Sequence, residues 1–164
     1  MRTKKRQTLL QRNLQILKNF YLENYNEYNN EHKSTMILIG NDKDSQKYLG
    51  NIDYMIHEIK RRRENNNTDE IYIVFENKKF ADPIGFISVS IIDGLFEISY
   101  GILPKYRGKG YASKILGEFS QYLFKNYEIE DLYLQINKEN EGSIKVALKN
   151  GFDNERLTKY HRGR

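Results

Sequence analysis

Between residues 71 and 103 the chain repeats one pattern three times, a run of β-branched and aromatic residues bounded by turn residues. The runs cover 71–75, 83–92 and 95–103, and only Asp93-Gly94 separates the last two. A two-residue Asp-Gly loop needs positive φ, which glycine accepts freely, so the pair is a strong hairpin signal. The segment predicts an antiparallel three-strand meander on whose faces the rest of the chain must pack.

Periodicity organises the remainder. Leu10, Leu14, Leu17 and Tyr21 fall at helical spacing, predicting an amphipathic helix over 8–28 within an N-terminal segment 1–30. An apolar run at 36–39 reads as a short strand, and Tyr48, Ile52, Met55 and Ile59 predict a second helix over 45–63. After the meander come a glycine-bearing turn at 104–110, a helix over 111–126 and a half-buried strand at 132–136. A helix over 141–150 follows, with Gly151 placed as its left-handed cap. Together these predict one α/β domain over 1–164: a mixed, mostly antiparallel central sheet flanked by helices.

Composition removes several classes of function. There is no cysteine, so disulfides, thiolate metal sites and a cysteine nucleophile are excluded. His32, His57 and His161 lack ligand spacing, and no metal is expected. No run is long and apolar enough to span a membrane, and no signal-peptide core follows the basic N-terminus. The expected location is cytoplasmic. The net charge of +5 invites a nucleic-acid reading, but the basic residues lie in short runs among acids and no nucleic-acid motif accompanies them.

The chemistry concentrates where the third run ends. Ile98-Ser99-Tyr100-Gly101-Ile102-Leu103-Pro104 leads into Lys105-Tyr106-Arg107-Gly108-Lys109-Gly110-Tyr111-Ala112, a strand entering a basic glycine loop that opens a helix. Free N–H groups of a first helical turn, the helix dipole and close backbone approach at glycine make such a segment an anion cradle. Arg107 and Lys109 add charge suited to phosphate oxygens. The P-loop spacing fails because Gly101 stands too far before Gly108, and the dinucleotide G-x-G-x-x-G fails at Ser113.

Residues Arg107 to Ala112 do match [QR]-x-x-G-x-[GA], the pyrophosphate signature of the GNAT superfamily of N-acetyltransferases. Asn140-Glu141-Gly142-Ser143 and Lys149-Asn150-Gly151-Phe152 resemble that family's second conserved block, with the flavour of its RimJ/RimL-like branch. The resemblance covers 71–152, taken as the cofactor-binding core. It implies acetyl-CoA as acetyl donor to a primary amine, on a peptide N-terminus or a small molecule, by direct attack on the thioester. Backbone groups of Ile102 and Leu103 would bond the pantetheine arm. The main chain of Gly108, Lys109, Gly110, Tyr111 and Ala112, with the Arg107 side chain, would hold the pyrophosphate, and Asn140 would contact the cofactor or the substrate amide.

Along 95–103, Phe96, Ile98 and Tyr100 share an apolar face while Glu97 and Ser99 share the other. Glu97 lies where several relatives carry a general base; a solvent-facing strand residue fits the position equally. The tyrosine that protonates the thiolate in many relatives is replaced by Ala147, leaving Ser143, Tyr133 or a water for that role. Ser143 also suits a helix N-terminus bonding backbone, and Tyr100 is expected in the core. An α-amino group, with pKa about 7.7–8.0 against about 10.4 for lysine, needs little help to deprotonate, so a sparsely equipped site favours it. The other reading of the same cradle is a non-catalytic acyl-CoA-binding module. After Phe152 only 153–164 remain, enough for at most one strand by this reading, so either the family's seventh strand is absent or a partner chain, as in a homodimer, completes the exposed sheet edge.

Overall fold

A computed structural model of the chain describes residues 14–66 and 69–164. In chain order the strands are β1 (Leu14–Ile16), β2 (Phe20–Asn24), β3 (Glu70–Glu76), β4 (Pro83–Ile92), β5 (Leu95–Ile102), β6 (Asp131–Gln135), β7 (Asp153–Arg156) and β8 (Lys159–Gly163). The helices are α1 (Asn30–Asn41), α2 (Lys43–Leu49), α3 (Ile52–Asn66), α4 (Tyr111–Asn126) and α5 (Glu141–Lys149). The sheet order is β1-β2-β3-β4-β5-β6-β8-β7, antiparallel throughout except where α4 carries the chain from β5 to a parallel β6.

The meander forms as expected. Asp93 and Gly94 both take positive φ, 51° and 79°, in the β4–β5 turn. β3 is buried on both faces, and its alternation divides the core. Tyr72 and Val74 join Ile115, Leu116, Phe119 and Leu123 of α4 and Ala147 of α5 on one side. Ile71, Ile73 and Phe75 join Met36 and Ile39 of α1 and Ile52 and Ile59 of α3 on the other. Each large apolar side chain so buried contributes about 1.5–3 kcal/mol.

Four expectations need correction. The helix predicted over 8–28 is replaced, in its described part, by the β1–β2 hairpin; residues 8–13 lie outside the described residues. Phe20 and Leu22 are buried while Tyr21 and Glu23 are half-buried, a period of two that the wider leucine spacing masked. Lys18 and Asn19 make the turn, closed by Leu17 N–H to Phe20 O at 2.8 Å.

The strand predicted at 36–39 is helix α1. His32, Thr35, Met36 and Ile39 form its buried stripe, and the Asn29 side chain caps it by accepting the His32 amide at 3.1 Å. The helix predicted over 45–63 is two helices broken at Gly50, whose φ of 72° no helix interior allows. Asp42 caps α2 through the Ser45 amide, and Asn51 accepts the Tyr54 amide at the start of α3.

The tail supplies two strands rather than one. Leu157 turns between β7 and β8 at φ 51°, a left-handed residue without the glycine that normally announces it. The sheet is therefore completed within the chain, and the shortened C-terminus that motivated a homodimer is absent. Edge strand β7 is exposed and reads Asp153-Asn154-Glu155-Arg156, a charged edge that discourages pairing with another copy.

Candidate active site

β5 and β6 share a single registered pair, Glu97 opposite Tyr133, and then part. Beyond that point the C-terminal half of β5 has a neighbour only on the β4 side. Leu103 N–H bonds Ile84 O at 2.9 Å. The alternation of an antiparallel ladder therefore turns the backbone groups of Ile102 and Tyr100 away from β4, into the opening.

A cleft of about 640 Å³ occupies this opening. One wall is Tyr100, Gly101 and Ile102; the other is the start of α5 at Asn140–Ser143, with Val146. The loop from Tyr106 to Ser113 closes one end, and Asp44, Ser45, Tyr48 and Leu49 of α2 form a further wall. α2 and the loop before α5 are fastened across the cleft: Tyr48 OH donates to Glu139 O at 3.4 Å and Lys47 pairs with the Glu139 carboxylate at 3.6 Å.

The cradle has the local geometry its sequence demands. Gly108 and Gly110 have φ of 73° and 82°, and a Cβ at either would meet nothing within 4 Å, so backbone conformation rather than crowding requires glycine there. Lys114 N–H to Gly110 O, at 3.2 Å, is the first turn's closing bond. The amides of Tyr111, Ala112 and Ser113 precede it and are the partnerless donors of a helix start, aimed out of the N-terminus beside the cleft. A long arm with amide groups, ending in a diphosphate, fits this set: the Tyr100 backbone and the Ile102 N–H along the opening, then a helix N-terminus with glycine approach.

Arg107 has other partners than a phosphate. Its Nε donates to Ile102 O at 3.0 Å, one terminal nitrogen to Ser45 Oγ at 3.0 Å, and the other pairs with Asp42 at 2.9 Å. The side chain expected on the pyrophosphate lines the cleft and ties the N-terminus of α2 to the end of β5. Asp42 is held below the usual carboxylate range, chiefly by the Ser45 amide and further by Arg107, against the opposing effect of burial.

Asn140 has structural partners as well. Its Oδ1 accepts the Ser143 amide at 3.2 Å and its Nδ2 donates to Ser143 Oγ at 3.0 Å, so it lines the cleft while capping α5. Tyr100, expected in the core, reaches the cleft and its hydroxyl donates to Ser143 Oγ at 3.3 Å. Burial raises the Tyr100 pKa, and the contact with Ser143 moderates the rise.

Of the residues singled out in the sequence, the structure gathers Ser143, Asn140, Ile102, Arg107, Gly108, Gly110, Tyr111 and Ala112 around one cleft. Lys109 stands at the same loop but faces a neighbouring cavity. Leu103 stays outside, its amide spent on Ile84 and its carbonyl on the Tyr106 amide. Glu97 is not a lining residue; it lies four residues back from Gly101, about 13 Å along the strand at ~3.3 Å per residue. Tyr48 and the α2 wall lie before residue 71, outside the stretch that carries the family resemblance. The Asp42-x-x-Ser45 cap and Gly50 were the signals that would have isolated that helix.

An acetyltransferase is the class that this fold defines. The chain belongs to the acetyltransferase (GNAT) domain family, whose profile matches residues 19–153. An acetyltransferase from Salmonella typhimurium that modifies the N-terminal serine of ribosomal protein L7/L12 superposes with TM-score 0.67 at 16% identity, over 90% of this chain and 96% of that one. A spermidine N-acetyltransferase from Vibrio cholerae, bound to CoA and spermine, gives 0.66 at 17% over 88% and 93%. An aminoglycoside acetyltransferase in complex with coenzyme A gives 0.68 at 16% over 89% and 94%. No curated protein matches the chain by sequence. Among the described residues no helix is long and apolar enough to cross a membrane, and no cluster of three His, Cys, Asp or Glu could hold a metal ion.

Proposed function

We propose that the chain transfers the acetyl group of acetyl-CoA to a primary amine, with Ser143 as proton donor to the leaving thiolate. The observation that carries this reading is the parting of β5 from β6, which turns strand backbone toward a cleft that ends at the cradle. The similar structures bound to CoA support the donor, and their amine acceptors support the reaction class.

When bound, acetyl-CoA supplies a thioester carbonyl open to attack by a neutral amine. The chain's own groups do the rest. A hydroxyl has two acceptor positions and one proton. Tyr100 and Asn140 donate into both acceptor positions of Ser143 Oγ, which leaves its proton directed into the cleft. The C–N bond forms as the C–S bond breaks; the amine loses a proton and the sulfur gains the one from Ser143, whose oxygen takes up the Tyr100 hydroxyl proton as it leaves, Tyr100 being reprotonated from solvent. Glu97, half-buried on the α1–α3 side of β5, accepts the amine proton through intervening water.

The test is thiol release from acetyl-CoA in the presence of an N-terminal serine peptide, spermidine or an aminoglycoside. Release with at least one acceptor is expected. Ser143→Ala should lower kcat by about 10²-fold while CoA affinity is kept. Tight CoA binding with no thiol release from any amine would overturn transfer and leave a binding module.

A further inference from the structure

A row of polar side chains crosses the sheet on the face that α1 and α3 cover. Ser90 of β4 pairs with Glu97 of β5, Glu97 with Tyr133 of β6, and Tyr133 with His161 of β8. On the other side Glu70 pairs with Val89, so Asp69, one residue earlier, stands opposite Ser90 and extends the row. Residues opposite each other on paired strands share a face. Phe86, on the same face of β4 as Ser90, packs with Met36 and Ile39 of α1 and Ile59 of α3, which identifies that face.

Asp69 anchors one end of the row. It is fully buried, its Oδ1 accepts the Ile91 amide at 2.9 Å, and its Oδ2 lies 3.7 Å from a terminal nitrogen of Arg62. Arg62 follows the buried Ile59 by three residues, so it leaves α3 on the side that meets the sheet. Asp69 and Glu97 are two strands apart, about 10 Å, and the short Ser90 side chain is what lies between them on this face. A guanidinium drawn to Asp69 thus brings positive charge to the row that holds Glu97. Burial raises the Glu97 pKa, and the charge of Arg62, followed by that of Lys159, opposes the rise.

The two cations are not held alike. Arg62 is tied to a buried carboxylate, with Glu58 as a further acid at 4.0 Å. Lys159 pairs with the exposed Glu155 at 3.8 Å and lies 4.5 Å over the Tyr133 ring. At the far end of the row, His161 is engaged by Asp131 at 2.6 Å. Arginine, unlike lysine or histidine, keeps its charge throughout the range in which a carboxylate titrates in a protein.

We propose that Arg62, held by Asp69, is a positioning residue for Glu97, its fixed charge keeping the half-buried carboxylate ionised and able to take the amine proton. The proposal rests on the reading of Glu97 as base given above. Arg62 is not among the residues that line the cleft and acts through Glu97.

The pH profile of kcat for thiol release by the full chain tests it. Arg62→Gln removes the charge that favours the ionised carboxylate, so the acid limb should move to higher pH. A severalfold loss of kcat is expected on the limb, with little change on the plateau, and Arg62→Lys should return the limb toward its wild-type position. Glu58→Gln strips a competing acid from the same guanidinium without touching the core, and should move the limb to lower pH. That variant decides the matter should Arg62→Gln fail to fold. A limb that Glu97→Gln abolishes, but that neither Arg62→Gln nor Glu58→Gln displaces, would sink the role of Arg62 alone. Loss of rate by one factor at every pH, unrestored by lysine, would sink it equally. A limb that survives Glu97→Gln would overturn the base reading along with it.

Discussion

Glu97 is half-buried on β5, and burial, the larger influence, lifts its pKa above the ordinary carboxylate range against the pull of Arg62 and Lys159. A general base works only when ionised, so acetylation should fall as the pH drops through that raised pKa. Glu97→Gln should lower the rate and remove this acid limb from the kcat profile; an unchanged limb in the variant would show that the base lies elsewhere. Arg107 illustrates the opposite influence. Its guanidinium is spent on Asp42, Ser45 and the Ile102 carbonyl, so it shapes the cleft by fixing α2 rather than by offering a free charge. Ser143 gains its orientation from two neighbours, Asn140 three residues before it and Tyr100 on the distant β5.

At the scale of elements, the parting of β5 from β6 makes two kinds of backbone amide on one strand. Leu103 N–H is held by Ile84, and Gly101 points the same way; Tyr100 and Ile102 point into the opening. Hydrogen exchange followed by NMR should show Tyr100 and Ile102 exchanging faster than Gly101 and Leu103 in the free protein. Saturating CoA should slow the first pair and leave the second pair as it was. Those strands were legible because the meander is built from local signals: β-rich runs, Asp93-Gly94 and a glycine loop opening an amphipathic helix. The N-terminal third was not. There, apolar residues spaced for a helix at 14, 17 and 21 belong to a hairpin, and an unbroken apolar run at 36–39 belongs to a helix. The deciding contacts, of Phe20 and Leu22 with one core and Met36 and Ile39 with the other, are long-range. The candidate site was legible where it is backbone, at Gly108 and Gly110. It was hidden where it depends on side chains from distant segments, as with Tyr48 and Tyr100.

For the whole molecule, one sheet of eight strands with a core on each face makes the donor site and the fold interdependent. The cleft draws on α2, β5, the cradle loop and α5, so a molecule bound there holds segments about one hundred residues apart. CoA at a hundred times its dissociation constant should add about 2.7 kcal/mol of stability. That corresponds to a rise in Tm of about 5–10 °C for a domain of this size, readable by thermal denaturation at fixed protein concentration. No rise under those conditions would contradict binding at a site built from so many segments.

The fastening between α2 and Glu139 has a consequence in time. Lys47 and Glu139 are both more than half exposed, at 55% and 63%, and a contact of that kind is worth about 1 kcal/mol or less. It joins two walls of the cleft that come from distant segments. Because those walls part at so small a cost, the contact adds little to how tightly an occupant is held, and the walls separate and rejoin often.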